Sequence, residues 1–269
     1  MEYLKQKSLK ISNKDLCLNF LNRVNYYNVS VYFKCCNCAG LDFENIIQIY
    51  EFDRELRNLL FSVIGEIEIF MRKQISYRHS EKYGGLGYLD KNTFNDYHNH
   101  IEFLSRIENE CIKRNENSLI VKHHKEKYNG NFPLWVIIDF FSAGSLSRFY
   151  SDMIYRDKRI MARELFGTNY ACLESWFKCF TILRNKCAHY SRLYFLKFSD
   201  YPRFPQNSNY KLTMRLFDQL LVLKFLYPDK TRWEENFVKP LSQLIDKYKA
   251  YIKLEDIGFS DNWQQILSN

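Results

Sequence analysis

The chain has 269 residues, 46% of them hydrophobic and 17% aromatic, and a formal net charge of +8. That composition supplies one large core, or two small units sharing one, and excludes wholesale disorder. The basic balance favours polyanionic partners, and no stretch approaches the roughly 18 uncharged apolar residues of a membrane span.

The opening MEYLKQKSLKISNKD has no apolar run of the secretory type. The cysteines are therefore expected to be reduced thiols of a cytoplasmic protein. Residues 15–27 read as a first helix, with Leu16, Phe20, Leu21 and Val24 on one stripe. CCNCAG breaks it. Cys35, Cys36 and Cys38 give one CxxC pair, and no second pair or His pair stands at zinc spacing. The cluster reads as small apolar residues near a turn, and neither a metal nor another cofactor is expected.

Asp42 is placed to cap a very long helix running to about residue 79, in which Leu56, Leu60, Val63, Ile67, Phe70 and Met71 keep a helical period. YGGLGYLD ends it, and Thr93 or Asn95 starts another helix to about residue 112. SLIVKHHKEKYNGN reads as a polar connector. Pro133 opens a short helix, Ser145 caps the next, and residues 157–166 form another that Gly167 closes. Residues 170–189 make a strong helix, and 201–209 a proline-containing loop. Two more helices, 212–226 and 233–251, precede the aromatic tail GFSDNW. A strand is conceivable only at 192–198. The fold class is all-α, with an N-terminal helical extension (1–41) ahead of one helical domain (42–269).

The segment LRNKCAHYSRL, 183–193, concentrates the chemistry. Trp176, Phe180, Leu183 and Cys187 make a core stripe, while Asn185, His189 and Arg192 make a second stripe on the other side. Arg184 lies between them and can swing to the polar side. Arginine grips phosphate oxygens through a planar fork, and histidine exchanges protons near neutral pH. The set suits metal-free RNA cleavage by the substrate's own 2′-hydroxyl: His189 as acid or base, Arg184 on the phosphate, Asn185 as donor or orienter. DNA lacks that hydroxyl and would be spared. The competing reading is a solvated helix face with His189 as a C-terminal cap.

LRNKCAHYSRL resembles the RNxxxH signature of HEPN ribonucleases, and in particular the Abi-like family of bacterial abortive-infection proteins, AbiD and AbiF. FDRELRNLLFSVIGEIEIFMRKQISY (52–77) is similar to that family's long helix, and PLWVIIDFFSAGSLSRFY (133–150) to its Pro-x-Trp and Gly-Ser-Leu-Ser segments. GFSDNW is similar to its ending, with Ser260 in place of the usual proline. The resemblance spans most of 42–263. It implies an HEPN-type helical bundle with a long N-terminal helix, and metal-independent endoribonuclease activity in antiphage defence of a bacterium. It also implies a homodimer pairing two motifs and a small non-coding RNA partner. Arg184, Asn185 and His189 are the catalytic candidates. Arg192, Arg72, Arg148 and Lys186 are candidates for RNA binding.

Other residues have weaker patterns. Glu68 and Arg72 form an i,i+4 pair, read first as a salt bridge and alternatively as bringing Arg72 over the site. Arg54 and Arg57 are a fainter version. His123 and His124 read as a solvated loop, with an RNA-backbone contact as the alternative. His98 and His100, two apart on a helix, would face away from each other. Tyr194 and Phe195 are core, or else stack on a base. The rival functions are a non-catalytic RNA-binding protein of the same fold, acting in a ribonucleoprotein complex, and a purely structural helical partner.

Overall fold

The computed structural model describes residues 10–35, 42–206, 208 and 210–268. Among them the fold is all-α: there is no sheet, and only two isolated bridges, Lys10 with Asp42 and Phe94 with Met153, occur. The 192–198 segment is an irregular loop with a turn at 194–195, so its strand expectation fails. No helix is long and apolar enough to cross a membrane.

Helices α1 (Lys14–Arg23) and α2 (Tyr26–Cys35) replace the expected single first helix. The break comes at Val24, whose backbone is extended, and not at the cysteine cluster. The side chains of that cluster lie outside the described residues. Both helices pack on α3 (Phe43–Tyr83), whose 41 residues make the spine of the molecule, about 60 Å long. Asp42 caps α3 by accepting from the Glu44 N–H at 3.1 Å. The helix holds together because Ile49, Phe52, Leu56, Leu60, Val63, Ile67, Met71 and Ile75 are all buried along one stripe.

The next helix, α4 (His100–Arg106), starts later than expected. Asn95 instead donates to the carbonyls of Ser151 and Met153, and Asn99 is the cap. It continues through a π-helical stretch, Ile107–Ile112. SLIVKHHKEK is no connector: Ser118 caps α5 (Leu119–Lys127), which anchors itself by Val121 alone among its buried residues. Pro133 caps the one-turn α6 (Leu134–Ile137). Ser142, three residues before the expected cap, starts α7 (Ala143–Asp152) and accepts from the Ser145 N–H. α8 (Tyr155–Phe166) ends on left-handed Gly167.

α9 (Tyr170–Ala188) packs against α3, α7 and α8, and against α10 (Leu216–Leu226), which is buried on nearly every side. The long C-terminal helix is α11 (Lys230–Trp233), a π-turn at Glu234–Val238, and α12 (Lys239–Tyr248). The wide turn falls just before Pro240, which has no N–H to give and would clash with the carbonyl four residues back. The tail folds back through α13 (Trp263–Ser268). Phe259 packs on Phe217 and Trp263, and Trp233 donates its indole N–H to the Leu267 carbonyl at 3.0 Å. Gly258 permits the turn. Its φ is +86°, and a Cβ there would sit 2.4 Å from the Thr213 hydroxyl.

Candidate functional site at the end of the motif helix

α9 is started by Asn169, which accepts from the Cys172 N–H at 2.9 Å. Leu173, Trp176, Phe177, Phe180, Leu183 and Cys187 bury one side of it, so the expected core stripe is in place. Trp176 stacks on Phe225 of α10 with ring centroids 4.9 Å apart. The helix is therefore held rigidly before it reaches the motif.

It ends by a Schellman closure. The Ser191 N–H donates to the Lys186 carbonyl at 2.9 Å and the Tyr190 N–H to that of Cys187 at 3.2 Å. Tyr190, with φ +53°, takes the left-handed position that glycine usually fills. His189 is the C-cap. Arg192 lies beyond this reversal, so it does not continue the stripe of Asn185 and His189. Its guanidinium donates instead to the Tyr194 carbonyl of its own loop.

The loop is fixed by a residue 140 positions away. Asp53, wholly buried in α3, accepts from the backbone N–H groups of Leu193 and Tyr194, each at 3.0 Å. It also accepts from the Tyr32 hydroxyl of α2 and from Arg57, both at 2.6 Å. Arg57 donates further to the Ser191 carbonyl at 3.3 Å. Burial pushes the Asp53 carboxyl up from the ordinary carboxylate range, while the Arg57 charge and the donated hydrogen bonds pull against it. Every neighbour is a donor, which suits the ionised form. Arg57 is thus a buried structural cation and no phosphate contact, and exposed Arg54 pairs with Glu51.

A second carboxylate on the same helix organises the motif itself. Glu68 takes Arg72 at 2.6 Å and Arg184 at 3.3 Å. Arg72 reaches on to the Phe141 carbonyl at 2.8 Å, and Arg184 to the Asn185 amide oxygen at 3.4 Å. The expected i,i+4 pair exists, and it does more than brace one helix: it aligns two guanidinium groups across α3 and α9. The Asn185 amide N–H₂ has no acceptor among the described residues. Asn185 and His189 are both exposed, one turn apart. Lys186 is half-buried beside them.

Arg148 is not part of this group. On α7, Tyr150 meets Phe177 of α9 at 4.7 Å, and Arg148, two residues earlier, faces the opposite way, towards Phe103, Arg106 and Glu110. Tyr194 is core: its hydroxyl donates to Asp256 and accepts from the Lys253 N–H. Phe195 is half-buried against the same core. His124 is on a helix, its ring stacked on Phe132 and bonded to the Asn131 carbonyl at 2.9 Å. His98 and His100 do meet, at 3.2 Å, because His98 precedes the helix start; His98 also pairs with Asp152 at 2.8 Å. No three His, Cys, Asp or Glu side chains gather as a metal-binding group among the described residues.

Asp53 and Tyr32 are the site residues that sequence reasoning missed. The available signal was a charged pair, Asp53 and Arg57, set inside the apolar stripe of Ile49, Phe52, Leu56 and Leu60.

Among known proteins, the family model described as Abi-like protein matches residues 19–195, which runs from within α1 to the loop after the motif. No curated protein and no solved structure matches the chain.

Proposed function

The chain belongs to the Abi-like protein family, and on that premise we propose that it is a metal-independent endoribonuclease of bacterial abortive-infection defence. The observation that carries the reading is the row Arg72, Glu68, Arg184, Asn185, ending one turn from exposed His189. Core packing holds the row: buried Glu68 steadies the half-buried Arg72 and Arg184 from beneath, and Asn185 and His189 are exposed beside them.

The reaction uses the RNA 2′-hydroxyl. A base removes its proton, the oxygen attacks phosphorus, and the P–O5′ bond breaks as an acid protonates the departing oxygen. The products are a 2′,3′-cyclic phosphate and a 5′-hydroxyl. His189 carries one of the two protons. Arg184, steadied by Glu68, meets the charge that builds on the phosphoryl oxygens, and Arg72 adds to the field. Asn185 donates its N–H₂ to the same phosphate.

One histidine carries one proton at a time, so a second copy of the motif completes the acid–base pair. Phe61 (46% exposed) and Ile69 (67%), two turns apart on α3 and flanking Glu68, offer an apolar face beside the motif for that second copy. A small non-coding RNA is the partner that holds the nuclease in check.

Incubation with labelled RNA in EDTA tests this. The wild type should cut and leave 2′,3′-cyclic ends, and Arg184→Ala and His189→Ala should each lose about a hundredfold or more. Equal cleavage by the His189 variant would remove His189 from the chemistry. RNA binding without cleavage by any form would instead make the chain an RNA-binding protein of a ribonucleoprotein complex.

A further inference from the structure

The opposite end of the motif helix holds a second cluster of cations. α8 passes through left-handed Gly167 and the Asn169 cap into α9. On α8, Arg156, Arg159 and Arg163 stand at i, i+3 and i+7, on one side of the helix, and all three are exposed. With Tyr155, Thr168 and Tyr170 they line a cleft of about 830 Å³.

Their charge is not spent within the chain. Among the described residues none of the three guanidinium groups has an ion-pair or hydrogen-bond partner, and Arg159 merely lies over the Tyr155 ring at 5.7 Å. The neighbouring acids are engaged elsewhere: Asp157 with Lys82 and the Tyr83 hydroxyl, Glu164 with Arg78, Glu174 with Lys158 and Ser151. Thr168 also lines the cleft, though its hydroxyl oxygen is itself buried. Three unpaired guanidinium groups form a donor-rich surface that an anion would complete.

The spacing favours a repeating anion. Residues 156 to 163 rise about 10 Å along the helix. That is more than one phosphate group can span, so successive phosphates of a strand, and not a single anion, can engage all three guanidinium groups. Tyr155, 51% exposed at the rim, presents a ring on which a base can stack.

We propose that the Arg156, Arg159 and Arg163 cleft grips the backbone of an RNA strand. This rests on the reading of the chain as an RNA-handling protein and adds a site to it. Tyr170 of the cleft and His189 stand at opposite ends of α9, about 28 Å apart along its axis, so RNA held there is anchored and not cut at that point.

The test is fluorescence anisotropy with a labelled single-stranded RNA of about 20 nucleotides, in EDTA, using full chains that carry His189→Ala. The Arg156→Gln/Arg159→Gln/Arg163→Gln triple should bind about tenfold or more weakly. Its plot of log affinity against log salt should be shallower by about 2, the counterion release of three single-strand phosphates. The corresponding triple change to Lys should keep the slope, since it keeps the charge. An unchanged slope in the Gln triple, with its thermal midpoint preserved, would overturn the cleft and leave the RNA reading standing. Absence of RNA binding by the His189→Ala parent would remove both.

Discussion

Asp53 shows how much of the motif's setting depends on a residue without chemistry of its own. It joins α2, α3 and the loop after the motif through four donors, and it sits beside a guanidinium that is equally buried. Removing one partner of such a pair leaves an uncompensated charge, which costs about 3–5 kcal/mol. Asp53→Ala should lose that much in urea denaturation, and Asp53→Leu/Arg57→Met should recover a large part of it. A loss under about 1 kcal/mol in the single variant would mean that the loop is held by other contacts. The spacing of Arg184, Asn185 and His189 was enough to place them together, because four residues along a helix is a fixed geometry. Asp53 was not legible as their support, because the loop N–H groups it holds lie about 140 positions away and no local pattern reports such a distance. Arg192 was misplaced for a related reason: helical spacing was extended past a turn that has no glycine to announce it.

At the scale of elements, that turn carries a specific cost. Tyr190 holds a left-handed conformation in which a side chain crowds its own backbone. A β-branched residue fits it worse, so Tyr190→Val should destabilise by about 1 kcal/mol while Tyr190→Gly should not. Equal stability of the two variants in urea would show that the turn relaxes out of the left-handed region. The long helix α3 was legible from Asp42 and a sustained apolar period, and α9 from its buried stripe. α5 was not, since one buried residue, Val121, sets no period. The start of α4 was missed because Asn95 spends its side chain on carbonyls of α7 and the turn after it, a tertiary choice that overrides the capping preference. The rings of His98 and His100 meet for the same reason, as only one of them is helical.

The molecule as a whole should weaken in acid through a group remote from the motif. His79 on α3 is buried among Tyr83, Phe94 and Phe149, and neither ring nitrogen has a partner. Burial pushes its pKa from 6.5 down to about 4. The unfolded chain therefore takes up a proton below about pH 6.5 that the folded chain refuses until about pH 4. Stability from this residue is complete above that window and is lost as pH falls through it. His79→Leu should flatten the fall in stability between about pH 7 and pH 4, and superimposable pH profiles for variant and wild type would contradict the assignment.

The order in which the chain is made gives the Asp53 clamp a further meaning. Tyr32, Asp53 and Arg57 are synthesised long before residues 191–194, so the receptor for the motif loop exists before the loop does. The other support of the motif helix comes last: Phe225, stacked on Trp176, and the tail that locks Trp233 follow the motif in sequence. A chain stopped after residue 200 would carry every proposed catalytic residue on a helix with one side unpacked. On the proposed reading of the chain as a growth-arresting nuclease, this sets the genetics of escape: cells selected for survival would carry stops and frameshifts spread through the last quarter of the gene, far from the codons of the motif.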